Sequence, residues 1–485
     1  MDSRAHRHLA WLRATGIASL GLYGFAARGL RATNRPADVY AFLAVFGLLC
    51  LLYGLACWKT AGPSAARGVA RRLVFEMLLF AAAFRLLMLP AGLDRERPLT
   101  DLLTDLGGRE VVYGKFLLYD NDVWRYLWDG AVGNAGLDPY AASPRELAQQ
   151  AFDEDDPQGL LADEHRQDVL DNVSFQDYVT VYPPLAQLLF RTSDRLAPSS
   201  VAAWKLGLIA ADLLTCWLLV SALGRLGRPP TWAILYAWHP VAVKELAGSG
   251  HVDGWAILLL TLALWLLAGR LRLAAVAALT ASALVKLGPA VLLAPWIAAT
   301  GLLGFVVADV VAGLGVLVHL EGFGEWLAAL AAYGGEWVFN PGPWALLRWL
   351  AGALGAEDPA AVAHWIGRLL VLAAALVVAW RARGADAAGL IDQSLPLLAV
   401  LLLLNAAVFP WYLLWALPLS ALVGDRSWPL LCASSLLSYL FYIDSVDAVG
   451  PRLVEYGLFF ALLLWARLRR DAGVTSRAAS NPPSA

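Results

Sequence analysis

Long apolar runs constrain this chain more than any other feature. "AFLAVFGLLCLLYGLACW" (41–58), "WAILLLTLALWLLAG" (255–269) and "LPLLAVLLLLNAAVF" (395–409) are three of thirteen such stretches. A helix that crosses a hydrocarbon core needs roughly 20 residues. Only a helix or a closed barrel satisfies its backbone hydrogen bonds within lipid. The chain therefore reads as an all-α polytopic membrane protein. Its residues are 59% hydrophobic and 16% charged, where a soluble domain has about 45–50% and about 25%.

The candidate spans lie near 9–27, 38–58, 73–92, 200–222, 231–247, 254–269, 273–298, 299–319, 362–380, 388–408, 411–423, 428–444 and 452–468. Lys and Arg in short loops mark the cytoplasmic side. Arg4, Arg7 and Arg13 precede the first span, Lys59, Arg67, Arg71 and Arg72 follow the second, and Arg467, Arg469 and Arg470 follow the last. These place both termini inside, with Arg28, Arg31 and Arg35 as a counter-signal. The N-terminal stretch resembles a signal peptide but lacks a clean small-residue cleavage site, so a retained helix is expected. Both termini inside requires an even number of crossings. The run 273–298 is broken at "KLGP" (286–289), so 12 to 14 crossings are expected.

The organisation expected is N-terminal helices over 1–92, an extracytoplasmic loop with short helices over 93–199, and central helices over 200–320. A second outside loop over 321–361, C-terminal helices over 362–470 and a disordered cytoplasmic tail over 471–485 follow. The first loop holds about half of all acidic residues, including "DEDDP" (153–157). Net charge is −2 and no basic footprint of a nucleic-acid binder is present. Cys50, Cys57, Cys216 and Cys432 fall inside spans without metal-ligand spacing and read as small core residues.

Ionisable groups in so apolar a chain are costly and point to function. "YDNDVWRYLWDG" (119–130) carries Asp120, Asp122 and Asp129. With helical periodicity from 120, Asp122, Arg125 and Asp129 share a face and Asp120 turns away. Trp124 and Trp128 share a neighbouring face suited to the membrane boundary. The plainer alternative is an interfacial helix with solvated carboxylates. "WHPVAVKELAGSGHVDGW" (238–255) clusters Lys244, Glu245, His251 and Asp253, either a site or a Lys–Glu pair stabilising a turn. His251 and Asp253 alone make a weak metal signature. Lys286 interrupts an apolar run beside Gly-Pro, either snorkelling or binding an anionic group. "VFPWYLLWALPL" (408–419) offers Trp411 and Tyr412 as a belt or as the wall of a site for a ring-shaped substrate.

"DVWRYLWDGAVGNAGLDPY", "VYPPLAQLLF", "WHPVAVKELAGSGHVD", "ALVKLGPAVLLAPW" and "FPWYLLWALPL" occur in that order. Together they resemble the GT-C superfamily of integral-membrane glycosyltransferases, and within it the bacterial family-87-like mannosyltransferases that use polyprenyl-phosphate-mannose. The resemblance covers about 115–420. It implies a GT-C-type helical bundle in the bacterial cytoplasmic membrane. It also implies inverting transfer, on the outer side, of a sugar from a polyprenyl-phosphate donor to a glycolipid, polysaccharide or protein acceptor.

The general base it implies is Asp122, with Asp120 second, because relatives often carry two adjacent acids where this chain has Asp120-Asn121-Asp122. Arg125, Lys244 and Lys286 become candidates for the donor phosphate, and His251 for relaying a proton or holding the acceptor. Tyr126, Asp129, Tyr182, Glu245, Asp253, Trp411 and Tyr412 are supporting candidates. No cofactor is expected. Mg or Mn would be the divalent ion if one assists, although no ligand set in the sequence marks a metal site. Mannose is the first reading, arabinose or glucose transfer and protein O-mannosylation the alternatives. A lipid or sugar flippase, using the same charges as a transport path, is the rival of another class.

Overall fold

The computed structural model describes residues 3–60, 67–107, 113–153, 156, 158–161, 164–317, 322–444 and 449–480. Most of the acidic run 153–157 lies outside them, as do 481–485. Among the described residues there is no β-strand, only isolated bridges pairing Leu93 with Tyr113 and Phe339 with Ala407. The protein is an all-α integral membrane protein. Among the described residues, four helices are long and apolar enough to cross a bilayer: Pro36–Thr60, Val201–Arg225, Pro359–Ala382 and Val449–Leu468. Seven shorter apolar segments of 10–17 residues stand between them. Large apolar side chains such as Leu51, Phe75, Leu369 and Trp380 are exposed on the bundle's outside, which suits a lipid-facing wall.

Helices α1 (Ser3–Gly29), α2 (Pro36–Thr60) and α3 (Arg67–Met88) pack together at the start of the chain. Arg28, the counter-signal in the charge pattern, ends α1 and donates to the carbonyls of Asp94, Arg95 and Arg97 at 2.8–3.0 Å. It thus has backbone partners in the long loop.

That loop, 93–199, is a small helical domain. It holds α4 (Asp101–Leu106), α5 (Asp122–Asn134), α6 (Pro144–Asp153), α7 (Glu164–Asn172) and α8 (Pro184–Leu196). Helices α5 and α8 press together at Gly130, where a Cβ would fall 2.5 Å from the Phe190 carbonyl oxygen. Trp124 and Trp128 are fully buried in a core with Tyr126, Phe190 and Leu117. They are not boundary residues as their spacing suggested, because the loop builds its own core and uses them to fill it. That core runs on into Trp204 and Leu208 of α9 (Val201–Arg225) and into Val252 and Ala256, so the domain is rooted in the bundle.

Two helix interruptions shape the site. Residues Val243–Ser249 form a π-helical turn that ends at Gly250, φ 85°, a wide winding often found at functional positions. The break at 286–289 separates Arg272–Ala283 from the apolar helix Leu293–Thr300. Gly288 slides under Trp415 there, where a Cβ would meet the ring at 1.7 Å. The segment 321–361 is largely helical, with Phe323–Glu336 and Pro343–Ala353. The final helix runs from Val449 to Ser480.

Candidate active site

A cavity of about 710 Å³ opens where the loop domain meets the bundle. Asp120, Asp122, Arg125, Tyr182, Lys286, Trp411 and Tyr412 all line it. Stretches far apart in sequence supply its wall, around 120–125, 174–183, 286–291, 329–339, 401–415 and 439–442, together with Val371.

The two aspartates are brought together by strained backbone. Leu118 and Tyr119 both have positive φ, 51° and 71°, unusual for bulky residues. Contacts over-determine the reversal. Ser249 Oγ donates to the Leu117 carbonyl, Tyr442 Oη to the Tyr119 carbonyl, and Tyr119 Oη to the Arg31 carbonyl. The chain then enters α5 at Asp122, and Asp120 Oδ1 accepts from the Asp122 backbone N–H at 2.9 Å. Asp120 therefore does not turn away from Asp122, as the periodicity predicted. It precedes the helix and folds back onto its N-terminus, so helical geometry does not apply to it.

Both carboxylates face His251. Its Nε2 lies 3.4 Å from Asp120 Oδ2 and 3.4 Å from Glu245 Oε2, and its Nδ1 lies 3.8 Å from Asp122 Oδ2. The imidazole is fully buried and stacks on Trp411 at 3.9 Å. Burial alone would lower its pKa, but Asp120 and Glu245 prevail and raise it to about 10, so it is a cation at neutral pH. That cation, with Lys244 beyond it, holds Asp120 below the usual carboxylate range against the effect of burial. Asp122 goes the other way. Burial and the Asp120 charge lift it to about 6, opposed by His251 and Lys286. Its side chain is 35% exposed, against 8% for Asp120. Tyr182 Oη donates to Asp122 Oδ2 at 3.1 Å and Tyr126 Oη reaches the same oxygen at 3.4 Å.

Opposite these carboxylates, Lys286 Nζ lies 3.5 Å from Asp253 Oδ2 and over the rings of Tyr182 and Tyr412 at 4.8 and 5.4 Å. Asp253 is fully buried and accepts from Trp415 Nε1 at 2.7 Å, so it holds Lys286 rather than facing the cavity. Tyr412 Oη shares a 2.6 Å hydrogen bond with Tyr333 Oη. Phe409 stacks between Trp411 and Phe339.

Other sequence candidates lie further back. Lys244 and Glu245 are fully buried, 2.8 Å apart, and both bond the Tyr439 hydroxyl. The π-helical turn points them into the bundle, so Lys244 does not reach the cavity as a phosphate ligand would. Asp129 is buried and clamped by Arg125 Nε at 2.8 Å and Gln187 Nε2 at 3.0 Å. It fixes Arg125 and is not part of this cavity's lining. Tyr333, Phe339, Asn405, Tyr439 and Tyr442 line the cavity and were not singled out in the sequence. Aromatics are too common in membrane helices to mark themselves, and only the Phe-Pro-Trp-Tyr run hinted at this wall.

The donor atoms of Asp120, Asp122 and His251 come within 4.8 Å of one another, close enough to share a metal ion. The same three groups already form a charge-compensated set in which a buried imidazolium faces carboxylates.

Residues 116–301 match the model of the MptA_B family, described as the N-terminal domain of an alpha-(1->6)-mannopyranosyltransferase. No curated protein and no solved structure matches the chain. The matched segment contains Asp120, Asp122, His251 and Lys286, and ends before the aromatic wall of 329–442. An enzyme of this kind takes a sugar donor and an acceptor. Residues 116–301 are thus similar to the N-terminal domain of a mannosyltransferase family, and the protein is a membrane glycosyltransferase.

Proposed function

We propose that the protein is an inverting mannosyltransferase that moves mannose from a polyprenyl-phosphate donor to an acceptor hydroxyl, with Asp122 as general base. The observation that carries this is the pairing of the most open carboxylate of the cavity, Asp122, with the cavity's lysine, Lys286, across one chamber. The acceptor O–H gives its proton to Asp122 as the oxygen attacks the anomeric carbon. The bond from that carbon to the phosphate oxygen breaks, and the lipid monophosphate leaves with its negative charge beside Lys286. One displacement inverts the anomeric centre. Asp120 and His251 keep Asp122 oriented and tuned without touching the sugar. The site needs no divalent ion, because Lys286 and the His251 imidazolium supply positive charge. Mannose is favoured over arabinose or glucose by the family of residues 116–301.

The excess of Lys and Arg in the short loops supports a cytoplasmic side for both termini, and with it an outer-face position of the loop domain and cavity in a bacterial cytoplasmic membrane. The charged lining groups gather in one chamber beside the loop domain, which fits a transferase better than a transport path. The test is transfer of labelled mannose from polyprenyl-phosphate-mannose in membranes, with and without chelator. Asp122→Asn should lose about 10²–10⁴-fold in rate, and chelator should change nothing. Full activity in Asp122→Asn removes it as the base. Loss with chelator and recovery with Mg or Mn would make the Asp120–Asp122–His251 set a metal site instead.

A further inference from the structure

Glu455 is a carboxylate that no step of the transfer uses, and it lies well beyond the matched segment 116–301. It sits in the second turn of the final helix and is fully buried, while Leu453, Val454 and Leu458 of the same helix are exposed. Burying a carboxylate is costly, and an apolar residue in its place would avoid that cost. Both Glu455 carboxylate oxygens accept from Asn340 Nδ2, each at 3.1 Å. Next to it, Tyr456 Oη donates to the Asn340 carbonyl at 3.0 Å. A Cβ on Gly342 would meet the Tyr456 ring at 2.4 Å. The final helix thus grips the strap 339–342 from behind.

The strap needs that grip. Asn340 has φ 45° although it precedes Pro341, a position that prefers extended backbone. Such a conformation persists where its surroundings over-determine it. On its inner side the strap pairs with 406–408. The Phe339 N–H donates to the Ala406 carbonyl at 3.1 Å, and the Phe339 carbonyl accepts from the Val408 N–H at 2.8 Å. The Phe339 ring stacks on Phe409 at 4.4 Å and 11°. Phe409 stacks on Trp411 at 4.6 Å and 14°, and Trp411 on His251 at 3.9 Å and 21°. A column of nearly parallel rings therefore runs from the strap to the imidazole that faces Asp122. Close-packed interiors transmit displacement.

Resting on the transferase reading above, we propose that Glu455 is a positioning residue of the reaction. It fixes Asn340 and the strap and, through the stacked rings of Phe339, Phe409 and Trp411, sets the plane of the His251 imidazole beside Asp122. Asp120 and Glu245 both face His251 at Nε2, which leaves the tilt of the ring about that atom open. The face of Trp411 closes it, and so directs Nδ1 toward Asp122. The phosphate side of the cavity does not depend on this column, because Lys286 is held by Asp253, and Asp253 by Trp415.

The experiment uses the full chain in membranes with labelled polyprenyl-phosphate-mannose, and hydrogen exchange of the same chain in nanodiscs. Glu455→Ala should lower kcat roughly tenfold to 10²-fold, the cost of a small misplacement in an active site, with donor KM changed less than about twofold. Glu455→Gln keeps an acceptor for Asn340 Nδ2 and should retain most of the rate. Asn340→Asp sets two carboxylates together and should lose activity. Adding Glu455→Gln to it exchanges donor and acceptor and should restore the rate. In a Phe409→Leu background, where the column is already broken, Glu455→Ala should cost no more than about twofold further. Amides of 337–342 and 406–412 should exchange faster in Glu455→Ala and return to the wild-type rate in the exchanged pair. If Glu455→Ala does not fold, Asn340→Ala cuts the same link from the strap side. An unchanged kcat, a loss that Glu455→Gln does not recover, or an equal loss with and without Phe409→Leu overturns the proposal. If the wild type transfers no mannose, the transferase reading fails. Exchange then decides the link by itself: faster exchange at 406–412 in Glu455→Ala upholds it, and unchanged exchange refutes it.

Discussion

His251→Gln tests whether the buried imidazolium tunes the base. Asp122 is faced by Asp120, His251, Lys286, Tyr126 and Tyr182, and His251 by Asp120, Glu245 and Asp122. Activity requires ionised Asp122, so in the wild type it should fall as pH drops through about 6. Glutamine keeps hydrogen-bonding capacity among the carboxylates but removes the charge. At the observed 3.8 Å, with an effective dielectric of about 20, the lost attraction is about 4 kcal/mol, roughly three pH units. Asp122 is 35% exposed, and solvent screening reduces such terms. Asp120 also takes up a proton once its counter-charge is gone, which relieves Asp122 further. A net rise of about 1.5 units remains, moving the acidic limb from about 6 to about 7.5. At pH 6.5 the ionised fraction then falls from about three-quarters to about a tenth, so kcat should drop roughly eightfold and recover to within about twofold at pH 9. The assay is the pH profile of single-turnover mannose transfer, with thermal unfolding as a check on folding. A loss equal at every pH, or an acidic limb still near 6, refutes electrostatic tuning by His251.

Two further substitutions separate site from scaffold. Lys286→Met removes the cation that faces the leaving phosphate and should lower donor kcat/KM about 10²-fold, with Lys286→Arg intermediate. An unchanged donor kcat/KM would return Lys286 to a structural role with Asp253. Arg85→Met acts elsewhere: Arg85 Nε lies 2.6 Å from Asp212 Oδ2, and both side chains are fully buried. Stranding the Asp212 charge should cost about 3–5 kcal/mol, and the double variant Arg85→Met/Asp212→Leu should regain most of it. The melting temperature in detergent reads this, and a double variant as unstable as the single one would refute the pairing argument.

The charged half of the site was legible because charge in an apolar chain must be compensated. Asp122, His251, Asp253 and Lys286 stood out as ionisable groups without an obvious structural purpose, and the structure gathers them at one chamber or directly behind it. What the pattern misplaced were positions where local geometry departs from a regular helix. Asp120 joins Asp122 because Leu118 and Tyr119 reverse the chain just before α5. Lys244 turns inward because the winding at 243–249 is π-helical. The aromatic half stayed hidden for a different reason. Trp124 and Trp128 fill a core, Tyr439 bonds a carboxylate 194 residues away, and Trp337 rims the cavity, yet all carry the same composition signal as a membrane-interface belt. An aromatic ring is stable in a core, at a headgroup boundary or on a sugar, so its presence discriminates among none of them. A buried carboxylate is tolerated only where a partner waits. In a membrane chain, then, the costly residues mark the candidate site in the sequence, and only the fold shows which of the inexpensive ones line its cavity.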